Sequence, residues 1–165
     1  MRIAKFERYD MLNNPGSNGP AFTIWFSGCT AKCPGCHNQV LWDESVGKYH
    51  TVRDILDMII DAKMSDNHHL TLTRKYNDVV LLGGEPMEQD EAEIIDLVGI
   101  LSYLGIRIWL YTGWEITDIT KSIKTHCYFI KTGRYMEELK CTGFPASRNQ
   151  KVFIRDENNR LKRRK

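Results

Sequence analysis

Apolar residues fall along this chain in short blocks whose spacing switches between that of strands and that of helices. Residues 21–26 (AFTIWF) are aromatic and β-branched, which predicts a buried strand. Val52, Ile55, Ile59 and Ile60 then recur at helical spacing behind Thr51, and Asp54 three residues on completes an acidic capping box. That pattern predicts an amphipathic helix to about Ala62. Residues 78–82 (DVVLL) predict a second strand, stopped by Gly83 and Gly84. Glu88, Asp90, Glu91 and Glu93 next load a helix start with the charge its dipole favours. Ile94, Leu97, Val98, Leu101 and Leu104 form its apolar face, and Gly105 stands at the C′ position. Residues 106–111 predict a third strand, 114–124 a helix, 127–130 a fourth strand and 152–154 a short last one. Residues 13–20 (NNPGSNGP) read as a turn-rich loop and residues 63–77 as a polar loop.

Strand and helix alternating at this interval imply right-handed crossovers and a largely parallel sheet, hence an α/β fold. Ligands of such sheets bind beyond the C-terminal strand ends. Two unusual stretches, a cysteine-rich loop from Cys29 and the turn Gly83-Gly84-Glu85-Pro86, each follow directly on a predicted strand. They therefore share one rim and point to one site.

Composition narrows the class. With 165 residues the chain fits one domain, and 42% hydrophobic with 27% charged residues excludes collagen-like and wholly disordered readings. No apolar run approaches the roughly 18 residues of a membrane span, and the N-terminus lacks a signal-peptide pattern, so the expected compartment is the cytoplasm. Arg160 and Lys162 to Lys165 carry five of the 23 positive charges; without them 18 cations face 21 acids. The body is thus mildly acidic, with a short basic C-terminal tail from about residue 156. Nothing in it predicts a nucleic-acid-binding surface.

Five cysteines, an odd number, argue against a disulfide framework. Three of them, Cys29, Cys33 and Cys36, form C-x3-C-x2-C, bracketed inside by Gly28 and Gly35. Thiolates suit iron–sulfur clusters and zinc. Zinc would want a fourth ligand such as His37, yet adjacent Cys36 and His37 reach one tetrahedral ion only with difficulty. Three thiolates instead match a [4Fe–4S] cluster with one iron left open. In Gly83-Gly84-Glu85-Pro86 the glycines allow a ligand close to the backbone, and the carboxylate suits an ammonium group.

A three-cysteine loop followed by a Gly-Gly-acid-Pro turn resembles the radical S-adenosylmethionine (SAM) superfamily. The resemblance implies a partial, open (β/α) barrel of mostly parallel strands; the chain is too short for a full eight-fold barrel of roughly 250 residues. It implies that Cys29, Cys33 and Cys36 hold the cluster and act through it, with Gly35, Cys36, His37, Gly84 and Glu85 contacting SAM. Cys33-Pro-Gly-Cys36-His-Asn38 with Trp42, Asn14-Pro-Gly16, Trp109-Leu-Tyr-Thr-Gly113 and Ser147-Arg-Asn-Gln150 are similar to the activating proteins of anaerobic (class III) ribonucleotide reductase. Such proteins cleave SAM reductively and place a glycyl radical on the large reductase subunit, with an electron donor such as flavodoxin. Thr132-Gly133 and Ser17-Asn18 depart from that pattern, where an Asp-Gly pair and an early Arg are usual. Two other readings are a small radical SAM enzyme acting on a small molecule, as in deazapurine synthesis, and a noncatalytic iron–sulfur or zinc module.

The remaining candidates read as structure. His68 and His69 sit in a polar stretch, Cys127 reads as core and Cys141 as a bystander in a Gly-Pro-rich loop. Trp109, Tyr111 and Trp114 run along a predicted strand into its turn, where core packing is expected.

Overall fold

The computed structural model describes residues 1–17, 19–65 and 76–164; His68, His69 and most of the polar stretch lie outside them. The elements run β1 (Arg2–Asp10), β2 (Ala21–Phe26), β3 (Lys48–Tyr49), α1 (Val52–Ser65), β4 (Asp78–Gly83), α2 (Glu91–Tyr103), β5 (Arg107–Tyr111), α3 (Lys121–His126), β6 (Phe129–Thr132), β7 (Lys151–Arg155) and β8 (Leu161–Arg163). One sheet holds the described strands in the order β3-β1-β2-β4-β5-β6-β7-β8. The central pairs β2·β4, β4·β5 and β5·β6 are parallel, as crossovers through α1, α2 and α3 require. The flanking strands pair antiparallel, and β3 and β8 are left as open edges.

Alternation along the strands builds two layers. Val79 and Leu81 of β4, with Ile108 and Leu110 of β5, face Ile55 and Ile59 of α1 and Ile94, Leu97 and Leu101 of α2 in the main core. Val80, Leu82 and Trp109 point the other way, into a second cluster with Ala21, Phe129 and Val152 that no helix residue joins among the described residues. That second face is the inner wall of the open barrel.

Local chemistry sets the helix ends. Thr51 and Asp54 form the expected box: the Thr51 N–H donates to Asp54 Oδ2 (2.8 Å) and the Asp54 N–H to Thr51 Oγ1 (3.2 Å). Asp90 caps α2 by accepting from the Glu93 N–H at 3.0 Å, and Gly105 takes φ +72° just past its end.

Several expectations need correcting. β1 is a full nine-residue strand; its mixed charges hid it, because one face is half-exposed and only pairing with β2 reveals the register. The helix expected over 114–124 is reduced to Lys121–His126, since 114–120 is a turn rich in Thr and β-branched residues that disfavour a helix. The fourth strand begins two residues later than expected, leaving Cys127 as the C-cap of α3, fully buried as predicted. Leu104 is half-exposed rather than part of the apolar face of α2. The basic tail is not a free terminus, because Leu161–Arg163 add an antiparallel strand to β7 and Lys162 pairs with Asp156 at 2.7 Å.

At the N-terminal strand ends one buried acid gathers the early loop. Asp78, 1% exposed, receives Arg107 Nε at 2.7 Å, a second guanidinium N–H at 3.1 Å, the Asn14 amide at 2.9 Å and the Ser17 hydroxyl. Arg107 also donates to Ser17 Oγ at 2.7 Å and lies over the Tyr128 ring. Ser17, where the family pattern has Arg nearby, thus joins an arginine that comes from β5. Arg107→Met keeps the aliphatic stem but strands a buried carboxylate, and should cost about 2–3 kcal/mol. Urea unfolding of wild type and variant measures it; an unshifted midpoint would show that the Asp78 network contributes nothing to stability.

Candidate active site

Two loops leave the C-terminal ends of the neighbouring strands β2 and β4, and their backbones continue the ladder past the strands. The Gly84 N–H donates to Phe26 O (2.8 Å) and the Glu85 N–H to Gly28 O (2.8 Å). Side chains lock the same pair: Glu88 accepts from the Thr30 N–H (2.8 Å) and hydroxyl (2.6 Å), and the Gln89 amide donates to Ser27 O at 3.1 Å. A Cβ on Gly84 would lie 2.5 Å from Gly28 O and 3.0 Å from Leu41 O, so only glycine fits. Glu88, read from sequence as helix-start charge, therefore holds the cysteine loop.

The cysteine loop itself turns through positive φ at Gly28 (+89°), Lys32 (+42°) and Gly35 (+73°). Its Cys36 N–H bonds back to Cys33 O at 3.1 Å. Cys29, Cys33 and Cys36 are unpaired, half-exposed thiols on the wall of one cavity of about 310 Å³. Burial pushes the Cys29 thiol up, while the backbone amides of Ala31 and Lys32 pull it back toward the thiolate. The Asn38 N–H lies 3.4 Å from Cys36 Sγ. Among the described residues no three Cys, His, Asp or Glu side chains close around a single ion. One zinc would need its sulfurs about 3.8 Å apart, given Zn–S bonds of roughly 2.3 Å. A cubane gives each thiolate its own iron and so takes ligands spread around a cavity. Three thiols set round one space, with amides aimed at sulfur, fit the [4Fe–4S] cluster.

Gly84, Glu85 and His37 line the same cavity, whereas Gly35 does not; the space beside its Cα is taken by Glu137. Glu85 is 2% exposed and joins the ends of β4 and β5. Its Oε1 accepts from the Met87 N–H (3.0 Å) and Thr112 Oγ1 (2.6 Å), its Oε2 from the Gly113 N–H (2.7 Å). Burial pushes its carboxyl up against those three donors, which favour the carboxylate. A carboxylate offers about four acceptor positions, so one remains on Oε2. The Thr112-Gly113 part of the sequence motif is thereby explained as the Glu85 clamp.

Lys131 escaped the sequence reading. It lines the cavity with its Nζ 5.0 Å from the Tyr111 ring centre and no ion pair among the described residues. Burial pulls its amine down to about 8, opposed by the nearby Cys36 and Glu85. The signal was a lone cation in a strand with no other charge (FIKT). Tyr111 is held by its hydroxyl on Asn13 O at 2.6 Å, and Gln150 ties the late motif to Gly133 O at 3.0 Å; both residues line the cavity. Trp109 is core, as expected, whereas Trp114 is exposed, and Cys141 donates to Pro145 O at 2.8 Å within its own loop.

Comparison with known proteins agrees with this geometry. The 4Fe-4S single cluster domain matches residues 15–153. The anaerobic ribonucleoside-triphosphate reductase-activating protein of Salmonella typhi is 29% identical over 147 residues, 85% of this chain and 88% of its own length. The protein of the same name from Enterobacteria phage T4 is 29% identical over 79% of this chain and 78% of its own. The crystal structure of QueE from Escherichia coli shares the fold, with a TM-score of 0.51 at 16% identity over 79% of this chain and 69% of that one.

The Lys131 amine sets a pH test. The unfolded chain keeps an ordinary lysine near 10.5 while the folded one sits at about 8, so between those values the unfolded state holds more protons. Stability of the metal-free protein should therefore rise with pH from about 8 to 10.5, and Lys131→Met should flatten part of that rise. Urea midpoints across this range measure it; equal slopes would show that Lys131 is not the group.

Proposed function

The chain belongs to the 4Fe-4S single cluster domain family, and on that premise we propose that it activates an anaerobic ribonucleotide reductase. It is an oxidoreductase of the radical SAM type, and its cofactors are a [4Fe–4S] cluster and SAM. The observation that carries the reading is the meeting of Cys29, Cys33, Cys36, Gly84 and Glu85 on one cavity wall. Cys29, Cys33 and Cys36 would ligate three irons and leave the fourth for SAM. A cluster held there would supply the electron for reductive cleavage of SAM to methionine and a 5′-deoxyadenosyl radical, which would take a hydrogen atom from a glycine Cα of the reductase.

The chain's own groups divide the binding work. The last acceptor position of Glu85 Oε2 suits the SAM ammonium, and the Lys131 cation, with no carboxylate of its own, suits the SAM carboxylate. Gly84 and the backbone beside it, together with Cys36 and His37, border the methionine end. Trp25, Leu82 and Tyr111 give the cavity an apolar wall that excludes water. The sheet stays open at both edges, so the remaining wall comes from the protein substrate, the large reductase subunit. An electron donor such as flavodoxin would reduce the cluster, and the cytoplasm would be the compartment. Among the described residues no helix is long and apolar enough to cross a membrane.

Anaerobic reconstitution should give about four irons per chain, and Cys33→Ala should abolish SAM cleavage. With SAM and the cognate reductase, the reduced wild type should produce a doublet in electron paramagnetic resonance that collapses on α-deuteration of glycine. One zinc without sulfide would overturn the cluster assignment; turnover of a small molecule with no doublet would overturn the protein substrate.

A further inference from the structure

The β4 turn fastens the cysteine loop at its start. Beyond Thr30 the hydrogen bonds of residues 31–38, among the described residues, stay local. The Cys36 N–H donates to Cys33 O, the Asn38 N–H to Cys36 Sγ and the Leu41 N–H to Asn38 O, while the Ala31 and Lys32 amides turn back to Cys29. Yet this half of the loop carries Cys33, Cys36 and His37, all on the cavity wall.

Its hold comes from across the sheet. β6 and β7 pair antiparallel, with Thr132 opposite Lys151, and a hairpin of about two to five residues would join them. Residues 133–150 instead form a long loop folded on itself. The Cys141 N–H donates to Ala146 O at 3.1 Å, the Arg148 N–H to Leu139 O at 2.9 Å and the Asn149 amide to Arg134 O at 2.8 Å. A self-tied loop of this length is usually a functional one. Its Glu137 reaches the cysteine loop: a Cβ built on Gly35 would lie 2.1 Å from Glu137 Oε2 and 3.3 Å from Glu137 Cβ. The glutamate thus stands where a side chain at 35 would. The Tyr135 hydroxyl donates to the same Oε2, Lys140 Nζ lies 3.4 Å from Oε1, and the Tyr135 and His37 ring centres are 5.8 Å apart. In the sheet β4 and β5 separate β2 from β6. These contacts therefore bridge the rim from one side of the barrel to the other.

Resting on the cluster and SAM reading above, we propose that Glu137, braced by Tyr135, is a positioning residue that pins Gly35 and so holds Cys36 and His37 in place for SAM. Glu137 itself is absent from the cavity wall and acts through Gly35. A loop fixed in advance loses less freedom when a ligand binds. Removing such a support costs about ten- to a hundredfold in binding or activity.

The metal-free protein gives the first test, by ¹⁵N relaxation. Order parameters of residues 33–38 should be rigid, about 0.85, in the wild type and fall below about 0.6 in Glu137→Ala. Glu137→Gln keeps the bulk beside Gly35 and an acceptor for Tyr135, so it should restore the order. In reconstituted protein, anaerobic calorimetry should show SAM bound about tenfold more weakly by Glu137→Ala and normally by Glu137→Gln. Should Glu137→Ala not fold, Tyr135→Phe, which removes only the bracing hydroxyl, decides by the same two losses. A wild-type loop that is already mobile, or a loop equally ordered in the variant, would overturn the strap. Order lost with SAM affinity unchanged would overturn the positioning role. Wild type that takes up no iron and sulfide, or binds no SAM, would overturn the underlying reading instead, and the metal-free order parameters would still decide whether Glu137 holds the loop.

Discussion

The arrangement of the site depends on the fastening of two loops that leave adjacent parallel strands. Phe26 of β2 and Gly83 of β4 are paired in register, and the next amides, of Gly84 and Glu85, keep donating to the cysteine loop. That continuation works because Gly84 has no side chain to hold the backbones apart. Glu88 then grips Thr30 from the next turn. The cysteine loop has no regular structure of its own, so its position is inherited from β4. A change in the Gly-Gly-Glu-Pro turn would be felt at the thiols without touching them.

The same economy governs charge. Glu85 spends most of its acceptor capacity on protein donors, which fixes the ends of β4 and β5 and keeps a carboxylate tolerable at a buried point. Lys131 does the opposite: its cation has an aromatic face beneath it and, among the described residues, no ion pair, with Glu85 acting on it only through space. One charge is satisfied and nearly full, the other is exposed to whatever enters the cavity. An amino-acid end bearing both an ammonium and a carboxylate matches that asymmetry better than a simple cation or anion.

What was legible in the sequence was local. The cysteine spacing, the Thr51–Asp54 box, Asp90 with Gly105 and the strands DVVLL and AFTIWF declare themselves within a few residues of one another. What was hidden is held by distant partners. β1 makes sense only against β2, and Glu88 only against Thr30, 58 positions away. Ser17 gains its meaning from Arg107, 90 positions away. Lys131 drew no reading in the sequence, since its aromatic and cavity neighbours are distant in the chain, and Trp42 showed only as part of a motif. The turn at 114–120 misled for another reason. Its apolar residues have helical spacing, but its Thr and β-branched residues pack as a bend over the end of the sheet.

The two open edges of the sheet differ from its interior in a way that bears on life in a crowded solution. An unpaired edge strand is a template for another chain, and self-association through it would be the first hazard of an unclosed barrel. Here one side ends in β3, which covers only Arg2 and Ile3 of β1. The rest of that edge is β1 itself, with its charged Lys5, Glu7 and Arg8, and the other side, β8, carries exposed Lys162 and Arg163. Neither offers a long, neutral ribbon for a second copy to extend. Contact with other proteins is thereby steered away from strand addition and toward the rim, so the opening that leaves the reactive cavity accessible does not make the fold prone to polymerise.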